Sequence, residues 1–334
     1  MKKTVFKTFA VIMALVLVIL SFAGCGGDYE RSDDTVFTVL QITDVHIVND
    51  EKKDAKAFKT IDAMLEETNP DMIVVTGDIT SEHDNLTAIK KFCEYIEPKK
   101  IPWAFTFGNH DAEGAVSKEE ISDYLETLEY CIYERGDENI TGMGHYYYTI
   151  HDENDNAVMS LIMMDSNMYP DKSLGVEGYD KFHDDQVQWY KDTIKKIALE
   201  ENGDETKVVP SLAFFHIPLY EFTQAYNEAK EKGEIISGWR FEKEYGPYED
   251  DGMFEAMLEM GSTKGVFVGH DHMNNYSVNY KGIRFTYGNS CDHNIYLVPF
   301  RGGKLIEIKK DGSFTVAPVV RHRLTSSAVV GKAE

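Results

Sequence analysis

Short apolar segments alternate with amphipathic ones along the first third of the chain. The segments 36–43, 72–76 and 101–107 predict buried strands, because they are rich in apolar and β-branched residues. Between them, 53–68 and 83–96 predict helices; in the first, the apolar residues recur every three or four positions. Strands alternating with helices in this way are typical of an α/β fold with a parallel sheet.

Similar segments continue toward the C-terminus. A helix is predicted from Ser117 to Tyr130, where Ser117 and Glu120 form a capping-box pattern, and another from Asp180 to Leu199. Further strands are predicted at 145–151, 157–164, 211–215 and 266–268. After residue 275, alternating apolar and polar positions predict the hairpins of a second sheet. No repeat or low-complexity linker divides the region after Glu30, which indicates one domain.

The N-terminus has the layout of an export signal. Three lysines precede an apolar run from Ala10 to Leu20, and the sequence SFAGC ends at Cys25. We interpret residues 1–24 as a lipoprotein-type signal peptide and Cys25 as the lipidated residue, with a plain signal peptide or a transmembrane anchor as the alternative. Residues 25–35 then form a polar tether, 36–325 the catalytic domain and 326–334 a C-terminal tail. The domain is therefore expected outside the cytoplasm, on a membrane or secreted.

Charge and cysteine usage narrow the possible functions. The chain has 34 basic and 57 acidic residues. Removal of the predicted signal peptide takes away three lysines, so the formal net charge of the mature protein would be 31 − 57 = −26. This acidity opposes nucleic-acid binding and repels anionic substrates unless the site has its own positive charge. Cys93, Cys131 and Cys291 are too few and too scattered for a disulfide framework or a cysteine metal site, so buried thiols are expected.

Residues of metal-ligand type follow the first three predicted strands. Asp44 and His46 come after the first, and in an extended segment such i and i+2 side chains point the same way. Asp78 follows the second strand, and the sequence Gly-Asn-His-Asp at 108–111 follows the third. Each block alone is weak, since an Asp after a strand is usually a turn former or a helix cap. Their repetition at successive strand ends points to one site.

Two further blocks follow later strands. His216 comes after the strand at 211–215, and the sequence GHDH places His270 and His272 beyond a short apolar run that ends at Gly269. Imidazole nitrogen suits Zn, Mn or Fe, and a tight loop fixes the separation of two rings. On its own, such a histidine is more often solvated or a core residue than a ligand.

The five blocks in this order resemble the calcineurin-like metallophosphoesterases, over about residues 36–300. The sequence around His216 and His270 is most similar to that of purple-acid-phosphatase-like proteins that lack the iron-binding tyrosine. Ser81 occupies the position of that tyrosine in this chain. This resemblance implies an α/β fold, a four-layer α-β-β-α sandwich of two mixed sheets. The serine at position 81, where the purple enzymes have tyrosine, argues against a purple iron(III) centre.

The resemblance further implies two divalent transition-metal ions, Mn, Fe or Zn. One ion would be held by Asp44, His46, Asp78 and His272, and the other by Asp78, Asn109, His216 and His270. A hydroxide formed from water between the ions would attack phosphorus. His110 would protonate the leaving group, and Asp111 would orient His110 or cap the following helix.

The implied function is an extracytoplasmic dinuclear phosphoesterase with a phosphorylated small-molecule substrate, and a phosphomonoesterase is favoured. Three alternatives remain open. The protein could be a phosphodiesterase or nucleotide hydrolase that uses the same site, a hydrolase of non-phosphate bonds, or a non-catalytic surface-binding lipoprotein of the same fold. The loop 233–252 is expected to wall the pocket or to pack on the surface, with Trp239, Arg240 and Tyr245 as candidates for substrate contact. His293 is a further residue expected near the site. The remaining histidines are interpreted as non-ligands: His83, His145, His151, His183 and His322.

Overall fold

The computed structural model describes residues 29–296, 298 and 300–323. The strands are β1 Thr35–Ile42, β2 Met72–Thr76, β3 Trp103–Thr106, β4 Tyr146–His151, β5 Ala157–Met163, β6 Ser211–Phe214, β7 Thr263–Val268, β8 Ser277–Tyr280, β9 Ile283–Tyr287, β10 Phe300–Lys309 and β11 Phe314–Arg323. The helices are α1 Glu51–Thr68, α2 Asn85–Ile96, α3 Lys118–Leu125, α4 Asp184–Asn202, α5 Phe222–Lys232 and α6 Met253–Met260.

The strands form two mixed sheets, which confirms the predicted fold class. The first sheet has the order β11-β10-β1-β2-β3, and the second has the order β4-β5-β6-β7-β9-β8. In the first sheet β1, β2 and β3 are parallel, and in the second β5, β6, β7 and β9 are parallel. The hairpin strands at the edges pair in the antiparallel sense.

The two sheets face each other between outer layers of helices. Phe267 of β7 and Phe314 of β11 have ring centroids 6.2 Å apart, and the Gln41 amide of β1 donates to the Val268 carbonyl at 3.1 Å. Helix α1 packs on β10 and β11 outside the first sheet, whereas α5 and α6 pack on β8 and β7 outside the second. Tyr190 of α4 is fully buried in this second helical layer.

Local sequence accounts for most of the element boundaries. In α1, Asp50 accepts hydrogen bonds from the backbone of Lys52 and Lys53, and left-handed Asn69 ends the helix. The capping box of Ser117 and Glu120 is present, but the helix ends at Leu125 rather than Tyr130. It ends early because the following segment pairs with β3, where the Trp103 amide donates to the Tyr130 carbonyl at 2.9 Å.

The C-terminal hairpins divide between the two sheets, so the prediction that all belong to the second sheet is wrong. The hairpin of β8 and β9 does join the second sheet, but β10 pairs antiparallel with β1 and brings β11 into the first. The alternating pattern shows which face of a strand is buried, but not which partner it meets.

The export signal, Cys25 and the 326–334 tail lie outside the described residues. Within the described part of the chain, no helix is both long and apolar enough to cross a bilayer. Cys93, Cys131 and Cys291 are free thiols, and only Cys131 is not fully buried.

Candidate metal centre

Parallel pairing brings the five sequence blocks to one edge of the two sheets. The blocks that contain Asp44, Asp78 and Asn109 follow the adjacent strands β1, β2 and β3 of the first sheet. The blocks that contain His216 and His270 follow the adjacent strands β6 and β7 of the second. Ligands of open α/β sheets bind at such carboxyl ends.

Four of the predicted ligands form a first group: Asp44, His46, Asp78 and His272. One ligand atom from each lies within 4.8 Å of those of the others. The Nε2 atoms of His46 and His272 are 3.0 Å apart, and His272 Nε2 is 3.0 Å from Asp44 Oδ1. Donors at about 2.0–2.1 Å from one tetrahedral ion lie about 3.4 Å from each other. The observed separations are therefore close to those of ligands that share an ion.

A second group contains Asp78, His216 and His270, so Asp78 belongs to both groups. Asp78 Oδ2 is 3.0 Å from His216 Nε2 and 3.9 Å from His46 Nε2, which places this oxygen between the two groups. Asn109 joins the second group, because its Oδ1 is 2.9 Å from His270 Nδ1. The structure thus brings together all seven residues predicted as ligands.

The charges of these buried groups favour cations. Burial lowers the pKa of His46 to about 4 and that of His270 to about 3, so each neutral ring has a lone pair to offer. Burial also opposes protonation of His216, but the Asp78 carboxylate outweighs it and raises the pKa of His216 to about 10. Asp44 likewise raises the pKa of His272 against the effect of burial. The two carboxylates therefore stabilise positive charge on the rings beside them.

The unpaired polar atoms fit a metal site. Among the described residues, Asp78 Oδ2 and His216 Nε2 are buried and form no hydrogen bond of suitable geometry, although they lie 3.0 Å from each other. Buried polar atoms are nearly always hydrogen-bonded, so such exceptions call for a ligand. His216 donates through Nδ1 to the Thr76 carbonyl at 2.8 Å, which leaves Nε2 directed at Asp78. This backbone bond is the kind that fixes the tautomer of a metal-binding histidine.

The backbone is strained at the predicted ligands. Asp44, His46, Asp78 and His270 have φ of 51°, 48°, 54° and 75°, in the left-handed region. Such conformations cost of order 1–3 kcal/mol each and cluster at functional sites. The Asp78 carboxylate packs directly against the backbone of Gly108, where a Cβ atom would collide with it. The loops are held in these positions by each other, as when the His46 amide donates to the Asp78 carbonyl at 3.2 Å.

Asp111 braces two of these loops. Its Oδ2 accepts hydrogen bonds from the amides of Asp78 and Gly108, both at 2.8 Å. Its Oδ1 accepts from the amides of Ile79 and Thr80 at 2.8 and 3.3 Å. Both oxygens are thus occupied by backbone donors, so the observed contacts of Asp111 are those of a residue that positions Asp78.

His110 has a partner that the sequence did not suggest. Its Nδ1 forms a short hydrogen bond with Oε2 of Glu113, and the Tyr169 hydroxyl donates to Oε1 of Glu113 at 2.6 Å. The His110 amide donates to Asp78 Oδ1 at 2.9 Å, which ties this residue to the metal-ligand groups. Its side chain is 22% exposed and lines the cavity above them. Glu113, rather than Asp111, is therefore placed to orient the imidazole.

The cavity over the two groups has a volume of about 290 Å³, and no lysine or arginine is found among the described residues that line it. Tyrosine rings form part of its walls: Tyr179 is 4.3 Å from the His270 ring and Tyr296 is 4.0 Å from the His272 ring, between centroids. Neither ring was anticipated, because both tyrosines lie on loops without a ligand motif.

The loop 233–252 does wall this cavity, through Glu242 and Tyr245. It is held by the ligand loop, since the Tyr245 amide donates to both Asp271 oxygens at 3.2 Å. Trp239 and Arg240 do not line the cavity; Trp239 is exposed, and Arg240 pairs with a glutamate of its own loop.

Other histidines lie apart from the centre. Nε2 of His293 is 2.8 Å from the Thr60 hydroxyl of α1, and His293 belongs to neither ligand group. His83, His145, His151 and His183, which were predicted as non-ligands, belong to neither group. The side chain of His322 lies outside the described part of the structure.

Sequence comparison agrees with this geometry. Residues 37–274 match the family model "Calcineurin-like phosphoesterase". "Probable inactive purple acid phosphatase 29" of Arabidopsis thaliana is 29% identical over 289 residues, which is 78% of this chain and 73% of the plant protein. "Phosphatase DCR2" of Saccharomyces cerevisiae is 28% identical over 74% of this chain and 46% of its own length.

The fold has matching solved structures. A dimetal phosphatase from Danio rerio superposes with a TM-score of 0.58 at 13% identity, over 87% of this chain and 98% of the fish protein. GAP50, described as the anchor in the inner membrane complex of Plasmodium, gives a TM-score of 0.53 at 14% identity, over 85% of this chain and 84% of that protein. Since the family model covers most of the chain and the fold agrees with it, this protein belongs to the calcineurin-like phosphoesterase family.

Proposed function

We propose that this protein is a dinuclear metal-dependent phosphoesterase that acts outside the cytoplasm, with phosphomonoesters as its preferred substrates. The observation that carries the proposal is the sharing of Asp78 between two adjoining groups of ligand atoms. A carboxylate shared in this way holds two ions close enough to act on one phosphoryl group.

Seven residues would hold the ions. Asp44, His46, Asp78 and His272 would bind one, and Asp78, Asn109, His216 and His270 the other. Only Asp44 and Asp78 bring negative charge, so two divalent ions leave a charge of 4 − 2 = +2 at the centre. Bound ions of this kind neutralise phosphoryl oxygens and lower the pKa of the water that serves as nucleophile. Their positive charge also attracts a phosphate to an otherwise acidic protein.

His110 would supply the proton for the leaving group. It is half-buried at the cavity wall, and Glu113 occupies its Nδ1, so its Nε2 is the nitrogen left for the substrate. A positioned general acid contributes about 10²–10⁴-fold to such reactions. The preference for monoesters draws support from the name of the yeast relative, which is called a phosphatase.

The first test is ester hydrolysis by the full chain, purified in detergent and loaded with Mn²⁺. Chromogenic mono- and diesters are compared, with a chelator and the Asp78→Asn variant as controls. We expect hydrolysis that the chelator and the variant both abolish, and faster turnover of the monoester. A metal-replete protein that hydrolyses neither ester would instead support a binding function, which the "inactive" names of the plant relatives make a real alternative.

A second test separates ligand from acid. We expect Asp78→Asn to lose both turnover and most bound metal, because this carboxylate belongs to both groups. His110→Ala should lose turnover by about 100-fold or more while it keeps two ions per chain. Metal content is measured by mass spectrometry of the purified proteins. A metal-poor His110→Ala protein would overturn this division of roles.

Location on a membrane through lipidated Cys25 is also proposed, on the strength of the N-terminal sequence. Mass spectrometry of the mature N-terminus in the native host tests it. A diacylglyceryl cysteine is expected, and Cys25→Ser should abolish it. An unmodified N-terminus at another residue would indicate a plain signal peptide.

A further inference from the structure

A larger groove of about 670 Å³ adjoins the metal cavity. Tyr179 and Tyr245 line both spaces, so these two tyrosines form a common wall. We call this space the tyrosine groove; Tyr220 and Tyr248 complete its aromatic lining. A phosphate at the metal centre would therefore have its alcohol portion close to the start of this groove.

The shared wall is fixed in place from the side of the metal centre. Tyr179 stands edge-on against the ring of His270, with centroids 4.3 Å apart. The backbone of Tyr245 is bound by the Asp271 carboxylate, which lies between the two histidines of the last ligand block. The two tyrosines thus connect the ligand loop to the groove.

The charged residues of the groove are mostly acidic. Four glutamates and a single lysine line it: Glu177, Glu228, Glu231, Glu244 and Lys243. Glu244 is paired with Arg240, and Glu228 lies 3.4 Å from Lys232. Glu177 and Glu231 are exposed, and neither forms an ion pair with another described residue. Two carboxylates therefore remain for a ligand.

The aromatic rings are also accessible. Tyr220 is 53% exposed and Tyr245 is 45% exposed. The ammonium of Lys243 lies over the Tyr245 ring, 4.5 Å from its centroid, so this ring already contacts one cation. Ammonium groups bind to tyrosine faces and to carboxylates, whereas a second anionic group would be repelled by the glutamates.

We propose that the tyrosine groove binds the alcohol portion of the substrate and selects phosphate monoesters whose alcohol carries an ammonium group. This inference rests on the proposed function of the metal centre. In such a substrate the phosphate meets the positively charged metal centre, and the ammonium meets tyrosines and carboxylates. Nucleoside polyphosphates and phosphorylated acids would be disfavoured by the same groove.

The test compares three monoesters on the full chain loaded with Mn²⁺. Choline phosphate carries the ammonium, 3,3-dimethylbutyl phosphate is its neutral isostere, and 3-phosphoglycerate carries an extra carboxylate. We expect kcat/KM for choline phosphate to exceed that of the isostere by about tenfold, as one cation–π contact and two nearby carboxylates allow. The phosphoglycerate should be the poorest substrate. Added salt should reduce the differences.

Variants locate the preference. The double variant Glu177→Gln and Glu231→Gln should lower kcat/KM for choline phosphate, and with it the preference for choline phosphate over the isostere, by about threefold. Glu205→Gln, at an exposed position outside the groove, is the matched control and should change neither. A preference that survives the double variant would overturn the assignment to this groove.

The result also distinguishes this inference from the proposed function. If all three esters are hydrolysed at similar rates, the inference fails and the phosphoesterase stands. If none is hydrolysed, the phosphoesterase fails, and calorimetric binding of choline phosphate and of its isostere to the metal-loaded protein decides the inference. Tighter binding of choline phosphate, lost in the double variant, would support it; equal binding would overturn it.

Discussion

The substitution Asp111→Asn tests whether this residue acts as a brace or in the chemistry. Each carboxylate oxygen of Asp111 accepts two backbone N–H groups, from Asp78, Gly108, Ile79 and Thr80. Asparagine keeps one oxygen and replaces the other with an NH₂ group, which cannot accept. Whichever way the amide turns, two buried N–H groups lose their acceptor.

The magnitude follows from those two donors. Each buried donor without an acceptor costs about 1–3 kcal/mol, so the variant should lose about 2–6 kcal/mol of its free energy of unfolding. Domains of ordinary stability have only about 5–15 kcal/mol. In either orientation the lost acceptor is that of Asp78 or of Ile79, the residue directly after it. Metal affinity should therefore also fall, by about 10–100-fold as for other residues that support ligands.

The assays are urea unfolding of the chelator-treated protein and titration with Mn²⁺. Asp155→Asn, at an exposed left-handed turn position, is the control and should unfold like the wild type. If Asp111→Asn retains wild-type stability and metal affinity but loses turnover, the brace argument is refuted and Asp111 acts in the reaction itself.

Two other predictions concern residues that the sequence did not single out. Glu113→Gln should slow hydrolysis of alkyl phosphates by about tenfold, because Glu113 acts through His110, which protonates the leaving group. Hydrolysis of p-nitrophenyl phosphate should be affected less, because its leaving group departs without a proton. Equal losses on both esters, or loss of metal, would contradict this role. Burial lowers the pKa of Lys304 from its usual 10.5 to about 7, so between these values the unfolded chain binds more protons than the folded one and stability rises with pH. We therefore compare the free energy of unfolding of the wild type with that of Lys304→Met by urea unfolding. The difference should increase in favour of the wild type by on the order of 2 kcal/mol from about pH 7.5 to about pH 9.5. A difference that does not change with pH would show that the pKa of Lys304 is not lowered by burial.

The sequence predicted the frame of the molecule because its signals are local. A buried strand needs a short apolar run, and a helix such as α1 needs an amphipathic stripe with Asp50 before it and Asn69 after it. Where an outcome depended on a distant partner, local signals failed. The helix after Ser117 stops at Leu125 because the next segment pairs with β3, and the last hairpin joins the first sheet because β10 pairs with β1.

The candidate metal ligands could be predicted for a similar reason. Each belongs to a block at the end of a strand, and parallel strands bring such ends together whatever the rest of the chain does. Asp78 as the residue common to both groups followed from the resemblance to a known family, and the geometry places its carboxylate between them.

By itself, then, the chain determined its strands, most of its helices and the seven residues that converge, since these depend on spacing and residue type within a few positions. Only the tertiary structure decided that Glu113 rather than Asp111 faces His110, and that Asp111 ties two loops together. The tertiary structure alone placed Tyr179 and Tyr245 between the metal cavity and the tyrosine groove. Those roles depend on which loops meet in space, and loop contacts between residues far apart in sequence leave no periodic signal in the chain.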